Sequence, residues 1–379
     1  MRVLPQDDRL ALLRDIAARA RPTGGPAIAA ARESCARELR ELGFDVRERP
    51  FSFSAFPGKF ATPLLGGAAA LTVGVAGEWG ASGARVAPFV LLAASAALLF
   101  GAGRWLARRG VLEAPVLRQR GVNLEAAHAG TVPRVWLCAH LDSKSQPVPT
   151  LLRSAGVVMA GLGYLLTLGL ATAAIAGWHL HRSYWTIAAL VTLVGAIPVV
   201  LSIVTWRSPG ALDNASGVAT IMAAARQVGR ETAVGVLITD AEELGLAGAR
   251  AWAAERGGGG GGPGDEALLN CDGVDDSGAI VAMYSAAPPA RLLRALARAT
   301  VGTGIAHERT RMIPGVLTDS VAFADRGLMS VTFSRGTWRS LARVHTRRDD
   351  LAHLRGTGIA ETATLIAATV REMTGEERR

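Results

Sequence analysis

Two histidines and a handful of carboxylates, spread over more than two hundred residues, are the side chains here whose types and spacing can do chemistry. They lie in five short stretches: His140-Leu141-Asp142, Asp213-Asn214-Ala215-Ser216-Gly217, Glu242-Glu243, Asp272 and His345-Thr346. Imidazole and carboxylate are the donors that a pair of zinc ions selects. Most of the stretches end an apolar run that reads as a buried strand, and open α/β sheets gather their active sites at such ends. Each stretch alone has an ordinary explanation; the ordered set does not.

Val135–Ala139 is an apolar strand that delivers His140 at its end, with Asp142 two residues on. A metal-binding imidazole has its orientation fixed by a nearby carboxylate or carbonyl, and Asp142 is spaced for that task. Asp213 opens a helix for which Ser216 or Asn214 is the cap, with Gly217 allowing close approach. Glu242 and Glu243 follow the buried run Ala233–Thr239. Adjacent carboxylates can point different ways, one toward a metal and one toward a proton, although acid at a helix start also suits the macrodipole. Asp272 ends the run Leu268–Cys271, and His345 precedes the last helix, with Asp349 and Asp350 nearby.

Positioning these groups requires a sheet. Gln6–Arg21 and Ala27–Leu42 have helical periodicity, broken by the Pro-Thr-Gly-Gly-Pro turn at 22–26, and Asp45–Phe53 alternates like a strand. Further strands are predicted at Val122–Ala126, Arg134–His140, Ala233–Thr239, Ala267–Cys271, Ala279–Tyr284 and Leu328–Phe333. Helices are predicted at Ser216–Gly229, Leu244–Arg256, Pro289–Gly302 and Leu351–Thr374. The alternation predicts an α/β fold with a mostly parallel mixed sheet sandwiched by helices. The six glycines at 257–262 read as a surface connection without function.

Two nearly charge-free blocks interrupt this pattern. Pro63–Gly77, Val86–Gly103, Ser154–Gly177 and Trp185–Thr205 each run about long enough to cross a hydrocarbon core, the first being the shortest. Short links at Glu78–Arg85 and Trp178–Tyr184 make them two hairpins of four transmembrane helices. The division is therefore a discontinuous catalytic domain (1–59, 111–150 and 207–379), a transmembrane hairpin at 60–110 and a second at 151–206. Arginines and lysines crowd the outer ends of the hairpins, whereas the links carry only Arg85 and Arg182. Positive flanks stay inside, so the expectation is a multi-pass cell-membrane protein with its catalytic domain cytoplasmic and its site near the bilayer.

The net charge of +9 fits contact with anionic lipid. Nucleic acid is not an expected partner, because no basic stripe carries interleaved aromatics and Phe, Trp and Tyr make up only 5%. Cys35, Cys138 and Cys271 cannot all pair; Cys138 and Cys271 lie in apolar strand-like runs and read as small buried thiols, whose reduced state fits a cytoplasmic face. Met1–Asp15 has no apolar stretch, so no cleaved leader is expected. His128, His307 and His353 are expected at the surface without partners.

The ordered stretches resemble metallopeptidase family 28, the co-catalytic zinc aminopeptidases and carboxypeptidases of the bacterial leucyl aminopeptidase type. The family's H-x-D, D-N-A-S-G, E-E-x-G-x-x-G, strand-final aspartate and H-T with an aspartate four residues on are met here. They stand as His140/Asp142, Asp213–Gly217, Glu242–Gly248, Asp272 and His345/Asp349, and Thr318-Asp319-Ser320 is similar to the family's S-D segment. The resemblance covers roughly residues 5–56 and 120–375, leaving the hairpins outside. It departs at Cys271 and Gly273 beside Asp272 and at the glycine run.

The resemblance implies two zinc ions, with cobalt or manganese as substitutes, bridged by Asp213. His140 and Asp272 would complete one ion, and Glu243 and His345 the other. Glu242 would be the general base, with Asp142 as the partner of His140, and the Asp213–Asn214 peptide bond would be cis. The implied activity is that of an exopeptidase on peptide substrates, an aminopeptidase first. A carboxypeptidase or dipeptidase would need a basic residue for the substrate carboxylate, such as Arg311 or Arg335. A single-zinc glutaminyl cyclase and a catalytically silent membrane scaffold fit less well, because every ligand position is kept.

Overall fold

The computed structural model describes residues 6–230, 232–256, 266–312 and 316–375. The glycine run at 257–262 lies outside the described residues. Contact density divides the chain into two compact units. The first comprises Met1–Phe53, Arg118–Ser145 and Trp206–Arg379; the second comprises Ser54–Leu117 and Gln146–Thr205.

The first unit is built on eight strands: β1 (Asp45–Ser54), β2 (Arg118–Ala127), β3 (Val135–His140), β4 (Val234–Thr239), β5 (Ala267–Val274), β6 (Ile280–Tyr284), β7 (His307–Arg311) and β8 (Met329–Arg335). They form one sheet in the order β1-β2-β4-β3-β5-β8-β6-β7. The central run β4-β3-β5-β8 is parallel, while β2 joins β4 and β6 joins β8 antiparallel. A parallel centre must be covered on both faces, which is why β3 and β4 are apolar throughout rather than alternating.

One face carries Val135, Leu137, Val236, Ile238 and Leu269, packed with apolar residues of the helices Gln6–Ile16, Pro26–Glu41, Gly217–Val228, Ala290–Thr303 and Thr357–Gly375. The other carries Trp136, Cys138, Leu237 and Leu268, under the helices Ala247–Arg256 and Asp319–Ala324. This is the mixed α/β sheet between helices that the periodicity predicts.

The structure differs from expectation at several ends. The first helix stops at Ile16 rather than continuing to Arg21, whose side chain is buried. The last begins at Thr357, after a single tight turn at Leu351–His353. Strand β7, His-Glu-Arg-Thr-Arg, escapes a hydrophobicity reading because it is a polar edge strand. His128 is buried, its ring stacked on Phe44 at 3.9 Å and its Nδ1 3.0 Å from the Gly43 carbonyl. His307 Nδ1 lies 2.8 Å from Thr300 Oγ1. Neither stands partnerless at the surface, as their isolated positions in the sequence suggest.

Two chain passages in this unit bring distant residues together. Arg118 donates to Ser52 Oγ (2.8 Å) where β2 follows β1. Ser143 Oγ donates to the Ser208 carbonyl (3.1 Å), and the Arg207 amide donates to Ser145 Oγ (2.7 Å).

The second unit contains four helices long and apolar enough to cross a membrane: Pro57–Ala81, Ala87–Glu113, Thr150–Ile175 and Arg182–Val200. Many of their large side chains, among them Leu71, Leu98, Phe100 and Leu165, are exposed. The last two helices pack through small residues. A Cβ on Gly163 would lie 2.7 Å from the Thr192 amide nitrogen, and one on Gly195 would lie 2.8 Å from the Gly156 carbonyl. Ser95 Oγ and Tyr164 Oη are 2.6 Å apart between the helices of different hairpins, and Glu78 pairs with Arg182 (3.0 Å) across their links.

Candidate metal centre

Five loops at the carboxyl ends of the strands and at the helix starts bring the ionisable groups together. His140 ends β3, and its neighbour Leu141 continues the pairing through the Thr239 carbonyl (2.9 Å). Beyond β4 the chain turns sharply at Ala241, which has φ 59°, and this left-handed residue swings Glu242 and Glu243 back toward β3. In β5 the pairing with β8 slips between Cys271 and Val274. Asp272 therefore sits at a bulge, which re-aims its side chain, rather than simply past a strand end. His345 also has a positive φ of 62°, in the turn before the last helix. The Asp213–Asn214 bond is cis.

The resulting cluster has two groups whose donor atoms lie within 4.8 Å of one another: His140, Glu242 and Asp272, and Asp213, Glu243 and His345. Asp213 spans them. Its Oδ1 is 3.1 Å from His140 Nε2, and its Oδ2 is 3.0 Å from His345 Nε2. Asp272 Oδ1 lies 3.7 Å and Glu242 Oε2 3.9 Å from His140 Nε2. Glu243 Oε1 is 3.3 Å from His345 Nε2. It is buried with no hydrogen-bond partner, the state of an acceptor built for a cation. Paired imidazoles among carboxylates suit zinc, so the residues fit the metal that the motifs imply.

All seven residues singled out in the sequence are in this cluster or directly against it, and Asp142 meets His140 through both its backbone carbonyl and its side chain. His140 Nδ1 is nearer the Asp142 backbone carbonyl (3.1 Å) than its carboxylate (3.5 Å). That carboxylate also accepts from two consecutive amides, Glu242 to Oδ1 (3.0 Å) and Glu243 to Oδ2 (3.1 Å). Asp349 repeats the device on another loop, accepting from the amides of Leu212 (2.6 Å) and Asp213 (3.1 Å). Asn214 accepts from Gly217 (3.0 Å) and Gly273 (3.1 Å) and donates to the Cys271 carbonyl (2.8 Å), tying the Asp213 loop to the Asp272 bulge.

Two cations were not identifiable as part of the site from sequence. Arg21 is fully buried and donates to the carbonyls of Leu141 (2.6 Å), Ile16 (2.8 Å), Gly210 (3.0 Å) and Pro209. It thereby links the His140 and Asp213 loops. Burial lowers its pKa to about 10, against the fields of Asp349, Asp142 and Asp213. Lys144 Nζ lies 2.5 Å from Glu243 Oε2. A lone arginine in a polar turn and a lysine beside an apolar block carry no pattern that marks them. Of the bases weighed for a substrate carboxylate, Arg335 is engaged by Glu361 and the Gly278 carbonyl, and Arg311 sits on edge strand β7.

The cluster separates the two glutamates electrically. Burial would raise Glu243, but Lys144 and His345 overcome it and hold the group at about 2. Burial raises Glu242 well above the usual carboxylate range, reinforced by Glu243, Asp272 and Asp319 and only partly opposed by His140. Burial likewise raises Asp272, with His140 opposing and Asp213 and Glu243 reinforcing. Burial works against Asp213 ionising, yet its contacts with His140 and His345 bring it well below the usual range. For His140 burial favours the neutral ring, but Glu242, Asp142, Asp213 and Asp272 outweigh it and raise the pKa.

A parallel-centred sheet thus carries two groups of possible metal donors at its carboxyl edge, the architecture of the zinc-aminopeptidase fold. Residues 196–370, which carry five of the cluster's six donor residues, match the model of Peptidase family M28, the family that the motifs resemble. Solved structures share the fold over nearly the whole chain. An aminopeptidase from Aneurinibacillus sp. strain AM-1 is 12% identical, with 97% of this chain and 93% of that one covered and a TM-score of 0.54. A zinc aminopeptidase from Bacillus subtilis is 14% identical over 98% and 96%, with a TM-score of 0.56. A glutaminyl cyclase from Fimbriiglobus ruber is 12% identical over 98% and 97%, with a TM-score of 0.52. No curated protein matches the chain.

Proposed function

We propose that this chain is a membrane-anchored di-zinc exopeptidase that removes residues from the N-terminus of peptides. The observation that carries the reading is the pair of donor groups joined by Asp213, whose two carboxylate oxygens lie 3.1 Å and 3.0 Å from the imidazoles of His140 and His345. Glu243, kept ionised by Lys144, would ligate with His345, and His140 would do so with Asp272. Asp213, with one oxygen toward each histidine, would serve both. Proximity alone would also allow Glu242 as a third donor beside His140 and Asp272, but its raised pKa suits a group that takes and returns protons.

Zinc bound there would acidify water and polarise a peptide carbonyl. Glu242 would take a proton from the attacking water and deliver it to the leaving amine. Asp142, through the amides of residues 242 and 243, would hold both carboxylates in register for these steps. The hairpins would anchor the protein in the cell membrane, with the catalytic unit on the cytoplasmic side because basic residues flank the outer hairpin ends. The fold is shared with glutaminyl cyclases as well as aminopeptidases, so the assay must separate the two reactions.

Purified protein should contain two zinc ions per chain and hydrolyse free-amine aminoacyl substrates. N-blocked peptides should be left intact, and activity should be lost to a chelator. N-terminal glutaminyl peptides should be shortened rather than cyclised. Glu242→Gln should keep the metal and lose roughly 10²–10⁴-fold in turnover, the range of a general base. Less than one metal per chain, or undiminished turnover in Glu242→Gln, would defeat the mechanism. Ammonia release without peptide-bond cleavage would move the reading to the cyclases.

A further inference from the structure

Residues on either side of two of the candidate ligands line a concavity. A groove of about 660 Å³ is formed where the chain leaves β5 and where it passes from β8 to the last helix. Asp275 and Asp276 come three and four residues after Asp272. Arg343 and Arg348 stand two residues before and three after His345. The groove is thus carried by the same two loops as the metal donors.

Its charge is one-sided once internal pairing is counted. Asp275 is consumed by Arg343 (2.5 Å), the Ser340 hydroxyl (2.6 Å) and the Asp276 amide (2.7 Å). Asp276 accepts from the Arg355 amide, the Gly358 amide (2.9 Å) and Thr357 Oγ1 (2.9 Å), fastening the start of the last helix. Arg339, Arg348 and His353 remain in the lining, and among the described residues no carboxylate pairs with them. The nearby acids Asp349 and Asp350 are also committed, the first to the Asp213 loop and the second to the Ala352 amide (3.0 Å).

We propose that this groove binds a carboxylate of the substrate, through Arg339 and Arg348, while the scissile bond lies at the metal centre. The proposal rests on the peptidase reading and names a substrate class for it: short peptides with a free C-terminus, or peptides with an acidic side chain. A concave, arginine-lined recess beside the ligand loops suits a discrete carboxylate better than a lipid surface, which would need cations on a convex face. Guanidinium groups are the side chains best matched to carboxylate. Each solvent-exposed pair contributes a factor of about two to five in binding, so the two arginines together should give about tenfold.

The test is binding of matched fluorescent peptides to the full-length, zinc-loaded Glu242→Gln protein in detergent. One pair differs only in a C-terminal acid or amide, the other only in an internal Glu or Gln. Tighter binding of the acid within the first pair assigns the groove to the α-carboxylate; within the second it assigns it to a side chain. A gap of about tenfold at low salt is expected, narrowing as salt screens the charges. It should fall to near unity in Arg339→Gln/Arg348→Gln, with each single variant intermediate and all giving the parent's circular dichroism spectrum.

Equal binding of acid and amide in both pairs, or a gap that survives the double substitution, would overturn the proposal. So would displacement of a bound anionic peptide by glycerophosphoglycerol at concentrations where acetylated peptide acids have no effect, since that marks a headgroup site. Absence of hydrolysis by the unsubstituted enzyme, with the charge gap intact, would instead remove the peptidase reading and leave the groove.

Discussion

Asp142 illustrates how much of the candidate site consists of groups that hold other groups in place. By accepting from the amides of residues 242 and 243 it fixes where both glutamates begin, and Asp349 does the same for Asp213. Asp142→Asn keeps the shape but turns one acceptor into a donor facing an amide N–H. The expected result is a fall of about 10–100-fold in zinc affinity, read by chelator competition, in a protein that still folds. Unchanged affinity would reduce Asp142 to packing.

The thiols give a test of burial at the same scale. Burial pushes Cys35 up to about 12 and raises Cys138 and Cys271 as well. The thiolate is the reactive form, so native protein should resist iodoacetamide from pH 7 to 9, and denatured protein should take up three labels. Rapid native labelling at pH 8 would contradict the packing. The members of the cluster were readable because their residue types recur in a fixed order. Arg21 was not, since one arginine becomes a structural hub only through carbonyls that lie 120 and 189 residues away.

At the scale of elements, the central strands were legible because burial on both faces leaves continuous apolar runs such as Val135–Ala139. Edge strand β7 was not, because its side chains need only tolerate solvent. The short helix Asp319–Ala324 is likewise too brief to show periodicity. The Asp272 bulge was hidden for another reason: a register slip belongs to the pair β5–β8 and is not encoded in either strand alone. Helix packing in the second unit makes a prediction of its own. Gly195 lets the helix Arg182–Val200 approach the Gly156 carbonyl closely, so Gly195→Val should overpack the hairpin by about 1–3 kcal/mol. Thermal unfolding in detergent should shift downward while zinc content stays at the parent value. An unshifted transition would mean that the helices do not meet at this glycine.

For the whole molecule, the question is where the hydrophilic unit lies. With basic residues flanking the outer hairpin ends, a reporter fused after Arg379 should be active only in a form that functions in the cytoplasm. Activity restricted to an extracytoplasmic reporter would reverse the orientation. A last consequence comes from the contacts between Ser143 and Ser208, between Ser145 and Arg207, and between Ser52 and Arg118. At each apolar segment the first unit's chain departs and returns at neighbouring points, so that unit spans almost no distance through it. The hairpins are therefore detachable in principle. Joining Phe53 to Arg118 and Ser145 to Trp206 with a few glycines should yield a water-soluble protein that retains its zinc, measurable by gel filtration with metal analysis. The apolar segments are thus additions to a unit whose own chain path closes without them.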